Sequence, residues 1–361
     1  VLKEYIARGT QIYPPRPSIR LSTDVIQYCA QNIPNWTPIS VSGYHIREAG
    51  VSAVQEIAFT LANAQVYIED TLAKGVSIDQ FAPGMWVFFS AGMDVLEEVA
   101  KFRAARRLWA RMMIEKYGAK NPASGQLRFH TFTAGSLLTA QQPLNNVIRV
   151  TIETMAAALG GIQTLASSSY DEALGLPSEE AVTIALRTQQ IVAEESGVSN
   201  TADPLGGSYY IEALTNRMEA EAQAWIDKIN AQGGAVTCIE NGYLQRVLAQ
   251  EAFEYQRRIE AGEQTLVGVN RYKTEEATKV KAFRVDPKVA ELQAAKLARL
   301  RLDRDNAAVE SSLKRLKDDA EHPERNICPA TIEAVSAYAT VGEICDTLRS
   351  VFGEYRDTGT L

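Results

Sequence analysis

Ile39-Ser40-Val41-Ser42-Gly43-Tyr44-His45-Ile46-Arg47-Glu48-Ala49-Gly50 is the stretch whose reading decides the fold. The alternation of Ile, Ser, Val and Ser sends Ile39 and Val41 to one side of a strand and Ser40 and Ser42 to the other. An apolar face can then pack on helices while the opposite face carries small polar groups. The strand stops at Gly43 and is followed at once by a phenol (Tyr44), an imidazole (His45) and a carboxylate (Glu48). In α/β barrels the C-terminal end of a strand is where the chemistry sits.

Further stretches repeat the pattern downstream. Phe81–Ser90 is almost wholly apolar and reads as a buried parallel strand. Leu127–Thr133 alternates, with Arg128 and His130 opposite Leu127 and Phe129, and Ile162–Ala166 is another short strand. Each is followed by helical spacing: Val51–Lys74 with Val54, Ile57, Leu61 and Ala64, then Met93–Tyr117, Asn145–Leu159 and Ser178–Ser196. Strand-then-helix units in series predict a parallel sheet with right-handed crossovers, here half of an eight-fold barrel. Upstream, Val1–Ala7 reads as the tail of a helix, Ile12–Pro17 is kept from helix by its prolines, and Ser18–Gln31 is helical. Beyond Asp203–Ser208 the composition turns helical: Tyr209–Ala231, then about 236–261, 287–303, 305–319 and 330–352, with Gln264–Tyr272 extended. The expected organisation is a half barrel over 1–202 and a helical arm over 203–361.

The 361 residues are 46% hydrophobic and 22% charged, enough for a substantial core. A net charge of −7 argues against a nucleic-acid or anionic-membrane surface, which needs a basic field. No apolar run reaches the roughly 18 residues of a membrane helix. Cys29, Cys238, Cys328 and Cys345 are scattered without a C-x-x-C pair, so neither a zinc site nor a disulfide framework is indicated, and a cytoplasmic setting is expected. The chain opens at Val1 inside a helical phrase and reads as part of something longer.

Taken in order, Ile12–Ser18, Ile39–Gly50, Phe81-Ala82-Pro83, Phe102–Trp109, Leu138–Pro143, Asp171-Glu172-Ala173, Ala185–Gln190, Asp203–Ser208, Thr340–Cys345 and Val351–Glu354 resemble the large subunit of coenzyme-B12-dependent acyl-CoA mutases, the methylmalonyl-CoA mutase family. The resemblance runs the length of the chain. It implies an α/β fold, the C-terminal half of a (β/α)8 TIM barrel followed by the helical arm. It also implies adenosylcobalamin as cofactor and radical isomerisation of an acyl-CoA thioester, most plainly methylmalonyl-CoA or a 2-alkylmalonyl-CoA. The Asp-x-His-x-x-Gly motif that ligates cobalt is absent, since His45, His130 and His322 lie in other settings. The resemblance therefore implies three partners besides substrate: a small cobalamin-binding subunit or domain, the missing N-terminal half of the barrel, and a further copy in a dimer or heterotetramer.

The same resemblance assigns site residues. His45 would bond the migrating thioester carbonyl, with Tyr44 beside it; unaided, a lone strand-end histidine is more often a structural hydrogen bonder, and the tyrosine reads equally as a core aromatic. Arg8, just before the Pro-Pro turn, would clamp a free carboxylate, or else is a surface arginine at a helix end. Thr10, Gln11, Ser40, Ser42 and His130 complete the substrate set; Ser40 and Ser42 would leave room for the pantetheine arm or are merely small core residues. Glu172, Gln163 and Glu48 would contact the cofactor, although Glu172 also suits a helix N-terminus. Lys101, Arg103, Arg106, Arg107 and Arg111 either touch coenzyme A phosphates or form a solvated face. Three departures stand out: Gly84 for the arginine of methylmalonyl-type enzymes, Phe132 for a glutamine, and Ala166-Ser167-Ser168 for His-Thr-Asn. They leave open a mutase for isobutyryl or 2-hydroxyisobutyryl thioesters and a non-catalytic paralogue serving as an interaction subunit.

Overall fold

A computed structural model describes residues 1–274 and 283–356; positions 275–282 and 357–361 of the expected arm lie outside the described residues. A helical turn over Glu4–Arg8, at the expected helix tail, is followed by helix α1 (Pro15–Asn32) and strand β1 (Ile39–Ser42). Between β1 and β2 (Met85–Ala91) come α2 (Tyr44–Glu48), α3 (Ala53–Ala73) and α4 (Ile78–Phe81). Helix α5 (Val95–Arg111) leads to β3 (Phe129–Thr133), α6 (Asn145–Leu159) to β4 (Thr164–Ala166), and α7 (Glu179–Glu194) follows. The four strands are parallel and lie side by side in chain order.

The sheet is open. Among the described residues β1 and β4 each have one unpaired edge, so the expected barrel is not closed: wrapping a sheet on itself takes about eight strands, and four leave a curved wall. Apolar side chains flank both edges in the chain. Val25, Ile33 and Trp36 are exposed before β1, and Leu176, Val182, Leu186 and Ile191 on and before α7, after β4.

Local differences from the sequence reading have simple causes. Pro15 and Pro17 open α1 rather than prevent it, because the first turn of a helix has no use for their missing N–H groups. The 236–261 segment divides into α9 (Gly234–Glu240) and α10 (Tyr243–Glu260) at Gly242, whose φ is 72°. Helix α8 (Tyr209–Ala231) falls where its apolar spacing puts it. After α11 (Lys288–Asp303) and α12 (Asn306–Glu321), the last segment divides into α13 (Cys328–Ser336) and α14 (Val341–Phe352), the latter begun by a capping box of Thr340 and Glu343. The Gln264–Tyr272 piece is a compact turn, not a strand, gathered by Asn270, whose side chain bonds Leu266 N, Ile259 O and Gln264 O.

One hydrophobic core runs from Leu2 to Leu244 and includes the sheet, α3, α5, α8 and α9. Helix α3 is buried on nearly every side. The basic helix is solvated in part: Lys101 is buried, whereas Arg107 and Arg111 are exposed, and both arginines are engaged by carboxylates. Arg103 pairs with Asp203 and Glu212, and Arg107 and Arg111 both reach Glu219 of α8, at 2.8 and 2.6 Å. Helices α12 to α14 form a second, smaller core with Tyr13. Arg20 of α1 ties it down by donating to the carbonyls of Asp319, Ala320, His322 and Arg325. No described helix is long and apolar enough to cross a membrane.

Candidate functional site

The site begins with a strand that ends early. Gly43 N–H still bonds Phe88 O of β2 at 2.8 Å, and the chain then turns into α2 while β2 continues to Ala91. Only glycine fits at 43: a Cβ there would overlap Thr60 Oγ1 and lie 3.0 Å from Glu56 Cγ of α3. The vacated edge of β2 is taken over by side chains. Ser90 N–H donates to Glu56 Oε1 at 2.7 Å, and Ser90 O accepts from Lys101 Nζ at 2.7 Å. Lys101 also pairs with Glu56 at 2.8 Å and Glu98 at 2.5 Å, all three buried. Burial raises the Glu56 pKa and Lys101 works against that rise. A carboxylate and an ammonium thus stand in for the next residue of β1.

That step presents Tyr44 and His45 over the sheet. His45 Nδ1 lies 2.9 Å from Ser42 Oγ and 3.0 Å from Lys3 Nζ. Lys3 also lies 3.1 Å from Nε2 and pairs with Glu4 at 2.9 Å. Burial, then the cationic Lys3 and Arg8, bring the His45 pKa down to about 4. The imidazole is therefore neutral at physiological pH. An ammonium can only donate, and Lys3 reaches both ring nitrogens, so it does not select the tautomer; Ser42 Oγ can donate to Nδ1 or accept from it, and the neutral ring keeps one N–H.

The aromatic floor beside it is continuous. Tyr44 stacks on Phe88 (4.7 Å, 7° between planes), and Phe132 meets Tyr44 edge-on at 5.5 Å. His130 lies against the other side of Phe88 at 5.0 Å. Pairing register explains the set: Ser42, Phe88, His130 and Thr164 form one row on the open face, and Ser90, Phe132 and Ala166 the next. The Tyr44 phenol is held well above its usual range by burial and by the charges of Glu48 and Glu172.

Those two carboxylates converge at the rim. Glu48 accepts from Ser136 N at 2.8 Å and Ser136 Oγ at 3.1 Å. Gly135 lies between the two: a Cβ there would stand 3.4 Å from both Glu48 Oε2 and Glu172 Cγ. Burial raises both carboxyl pKa values. Glu48 also borders a cleft of 870 Å³ between the sheet's C-terminal loops, α10 and the 263–267 turn.

Other expected site residues fall less centrally. Arg8 is exposed, 3.8 Å from Glu4, to which Thr10 also donates. Gln11 has a buried, unpartnered Oε1. Ser40 is exposed on the open face, but Ser42 is buried and bound to His45 rather than lining a channel. His130 faces the same side, bonded to Thr164 Oγ1 at 2.7 Å. Gln163 is not brought to the rim. It precedes β4 at the opposite end of the sheet, where its Oε1 accepts from Phe129 N–H at 2.8 Å.

A profile of the family described as methylmalonyl-CoA mutase matches residues 1–354. The chain belongs to the methylmalonyl-CoA mutase family. It is similar to the 2-hydroxyisobutanoyl-CoA mutase large subunit of Aquincola tertiaricarbonis, 45% identical over 359 residues covering 99% of this chain and 64% of that one. It is likewise similar to methylmalonyl-CoA mutase of Escherichia coli K12 (44%, covering 98% of this chain and 50% of that one) and to the human mitochondrial enzyme (41%, 99% and 48%). The chain thus spans about half to two-thirds of the length of these curated relatives.

Within the mutase family the three departures occupy different places. Gly84 lies at the N-terminal end of β2 beside Pro38 and Trp36, four residues or about 13 Å of strand from Phe88. Ser167 Oγ donates to Ala185 O and accepts from Gln189, and Ser168 is bound to Thr133, so neither is free toward the open face. Phe132 and Ala166 alone of the replaced residues face the site. As for the cofactor, the close approach at Gly135 and the paired carboxyls of Glu48 and Glu172 suit a large hydroxyl-bearing group at the rim. Among the described residues no group of three or more His, Cys, Asp or Glu could hold a free metal ion.

Lys3, Glu4, Phe88 and Glu56 are missing from the sequence-derived set, and Lys101 entered it only as a contact for phosphates or part of a solvated face. The Lys101 stripe carried a signal, since Glu98 and Lys101 are three apart on one helix. Lys3 carried none.

Proposed function

We propose that the chain is the thioester-handling part of an adenosylcobalamin-dependent acyl-CoA mutase, an intramolecular transferase acting on methylmalonyl-CoA or a related 2-alkylmalonyl-CoA. The observation that carries this reading is the neutral His45, braced by Ser42 and Lys3 at the end of β1 and bordered by the Tyr44–Phe88 stack. A neutral imidazole donates its one ring N–H to a thioester carbonyl without handing that proton over. Charge on the oxygen is met by the ring N–H while the acyl group moves. The aromatic floor keeps water from the reacting carbons.

Adenosylcobalamin, when bound, supplies the radical that removes a substrate hydrogen. Glu172 and Glu48 would hold it at the rim, with the cobalt ligand coming from a separate cobalamin-binding domain or small subunit. The two open sheet edges support a partner that completes the barrel, the first half of the family's fold. On this reading residues 1–202 are the second half of the barrel and 203–361 the helical extension. Arg8 supports a dicarboxylic acyl group, because its fork can clamp a carboxylate within the electrostatic range of His45. Gly84 lies too far along the sheet to weigh against it.

The test assembles the full-length protein with its cobalamin-binding partner and adenosylcobalamin and assays a panel of acyl-CoA thioesters. Turnover of methylmalonyl- or ethylmalonyl-CoA is expected. Arg8→Gln should lower kcat/KM for these by about 10- to 100-fold while leaving isobutyryl-CoA unaffected. Turnover confined to monocarboxylic thioesters would reject the clamp, and cofactor-bound assembly without turnover would favour a non-catalytic paralogue.

A further inference from the structure

Phe132 and Ala166 are register partners on adjacent strands, β3 and β4. On the other side of Phe132 in the same row is Ser90. The ring is therefore the single bulky member of its row, with a small side chain on each flank. Its edge meets Tyr44, and the face of Tyr44 is already covered by Phe88. His45 lies on another side of the same phenol, 5.2 Å from it. A group held at His45 and extending across Tyr44 thus reaches Phe132 within one ring's width. Beyond the ring it meets the methyl of Ala166, and neither side chain has a hydrogen-bonding group. The hydroxyls of Ser167 and Ser168 are engaged elsewhere and supply no polar contact there.

We propose that Phe132 and Ala166 together form the wall that receives the branch on the acyl carbon, and that they select an apolar branch larger than methyl. The proposal rests on the acyl-CoA reading above and names its substrate class: a 2-alkylmalonyl thioester with an alkyl group of two or more carbons. The ring supplies area for the added carbons, and Ala166 leaves the space for them. One methylene in an apolar pocket is worth about 10-fold or more in discrimination. A hydroxylated branch directed between Phe132 and Ala166 is disfavoured, because neither offers its hydroxyl a partner and the unpartnered Ser90 Oγ lies on the far flank of the ring.

The probes are ethylmalonyl-CoA, methylmalonyl-CoA and free coenzyme A, titrated calorimetrically into the full-length protein assembled with its partner and without adenosylcobalamin. Ethylmalonyl-CoA is expected to bind about 10-fold more tightly than methylmalonyl-CoA. In F132Q/A166H that ratio should fall to about 1 or invert, with the affinity for free coenzyme A unchanged as the control for folding. The single variants should each move the ratio part of the way, F132Q by losing area and A166H by losing space. An unchanged ratio in a double variant that still binds coenzyme A overturns this assignment and leaves the mutase reading standing. Thioesters that bind no better than coenzyme A would overturn the mutase reading, and this assignment with it.

Discussion

Lys101→Met removes the ammonium from a buried cluster while keeping the length of its stem. Its Nζ lies 2.8 Å from Glu56, 2.5 Å from Glu98 and 2.7 Å from Ser90 O, with no exposure to solvent. At 2.8 Å and an effective dielectric constant of about 20, a single pair attracts by about 6 kcal/mol before desolvation is counted. Breaking such a pair by deleting one partner strands the other charge, and the expected net loss is about 3–5 kcal/mol. The loss should depend on pH in a definite direction. The folded-state pKa of Glu56 is already raised by burial and rises further without Lys101. A carboxyl whose folded pKa exceeds its unfolded value favours the folded state at low pH, and that contribution disappears as pH climbs through the folded pKa. Urea unfolding of the full-length protein, followed by tryptophan fluorescence at about pH 8 and about pH 5, should show the deficit shrinking in acid. K101M/E56Q should recover part of it, since an amide still accepts from Ser90 N–H. A loss under about 1 kcal/mol at the higher pH, or one equal at both, would refute the view that Lys101 and Glu56 replace a missing strand residue.

Three further outcomes are expected. Because the His45 pKa is brought down to about 4, the folded state disfavours its protonation, so its contribution to stability is full above the unfolded value near 6.5 and falls away as pH drops toward 4; His45→Gln should remove that slope from an unfolding series, and wild-type kcat should show no inflection near 6.5. Gly43→Ala should cost about 1–3 kcal/mol by forcing the β1–α2 turn off Thr60, and should lower kcat more than it raises KM because Tyr44 and His45 move with the turn. Arg20→Met should cost about 2 kcal/mol by freeing the carbonyls after α12, with faster hydrogen exchange and limited proteolysis confined to the second core.

The strands were legible because their chemistry is local. Ile-Ser-Val-Ser alternates and falls in the sheet, and the largely apolar run read over Phe81–Ser90 holds β2 from Met85 onward, its first four residues forming a helical turn around Pro83 instead. Helix boundaries at Asn145–Leu159 and Tyr209–Ala231 followed from spacing and flanking glycines. The face of α6 did not: Ile148 is 62% exposed while Arg149 and Glu153 are buried, because a helix beside an open sheet edge need not turn its apolar stripe toward its own chain. The Tyr44–His45–Glu48 group was readable as a strand end. What braces it was not, since Lys3 and Lys101 reach the site through chain crossings that no periodicity encodes. Gln163 shows the converse, a residue assigned by resemblance whose side chain is occupied at the far end of the sheet.

The early end of β1 has a consequence for how this protein tolerates change. The groups that replace its missing rung come from α3 and α5, on the side of the sheet away from the open face, and they hold the backbone of β2 directly beneath the Tyr44 stack. A map of loss-of-function substitutions should therefore have two lobes, one in the cleft and one behind the wall, at Glu56, Thr60, Glu98 and Lys101. Residues in the second lobe touch neither thioester nor cofactor, yet they would be as intolerant of exchange as those that do.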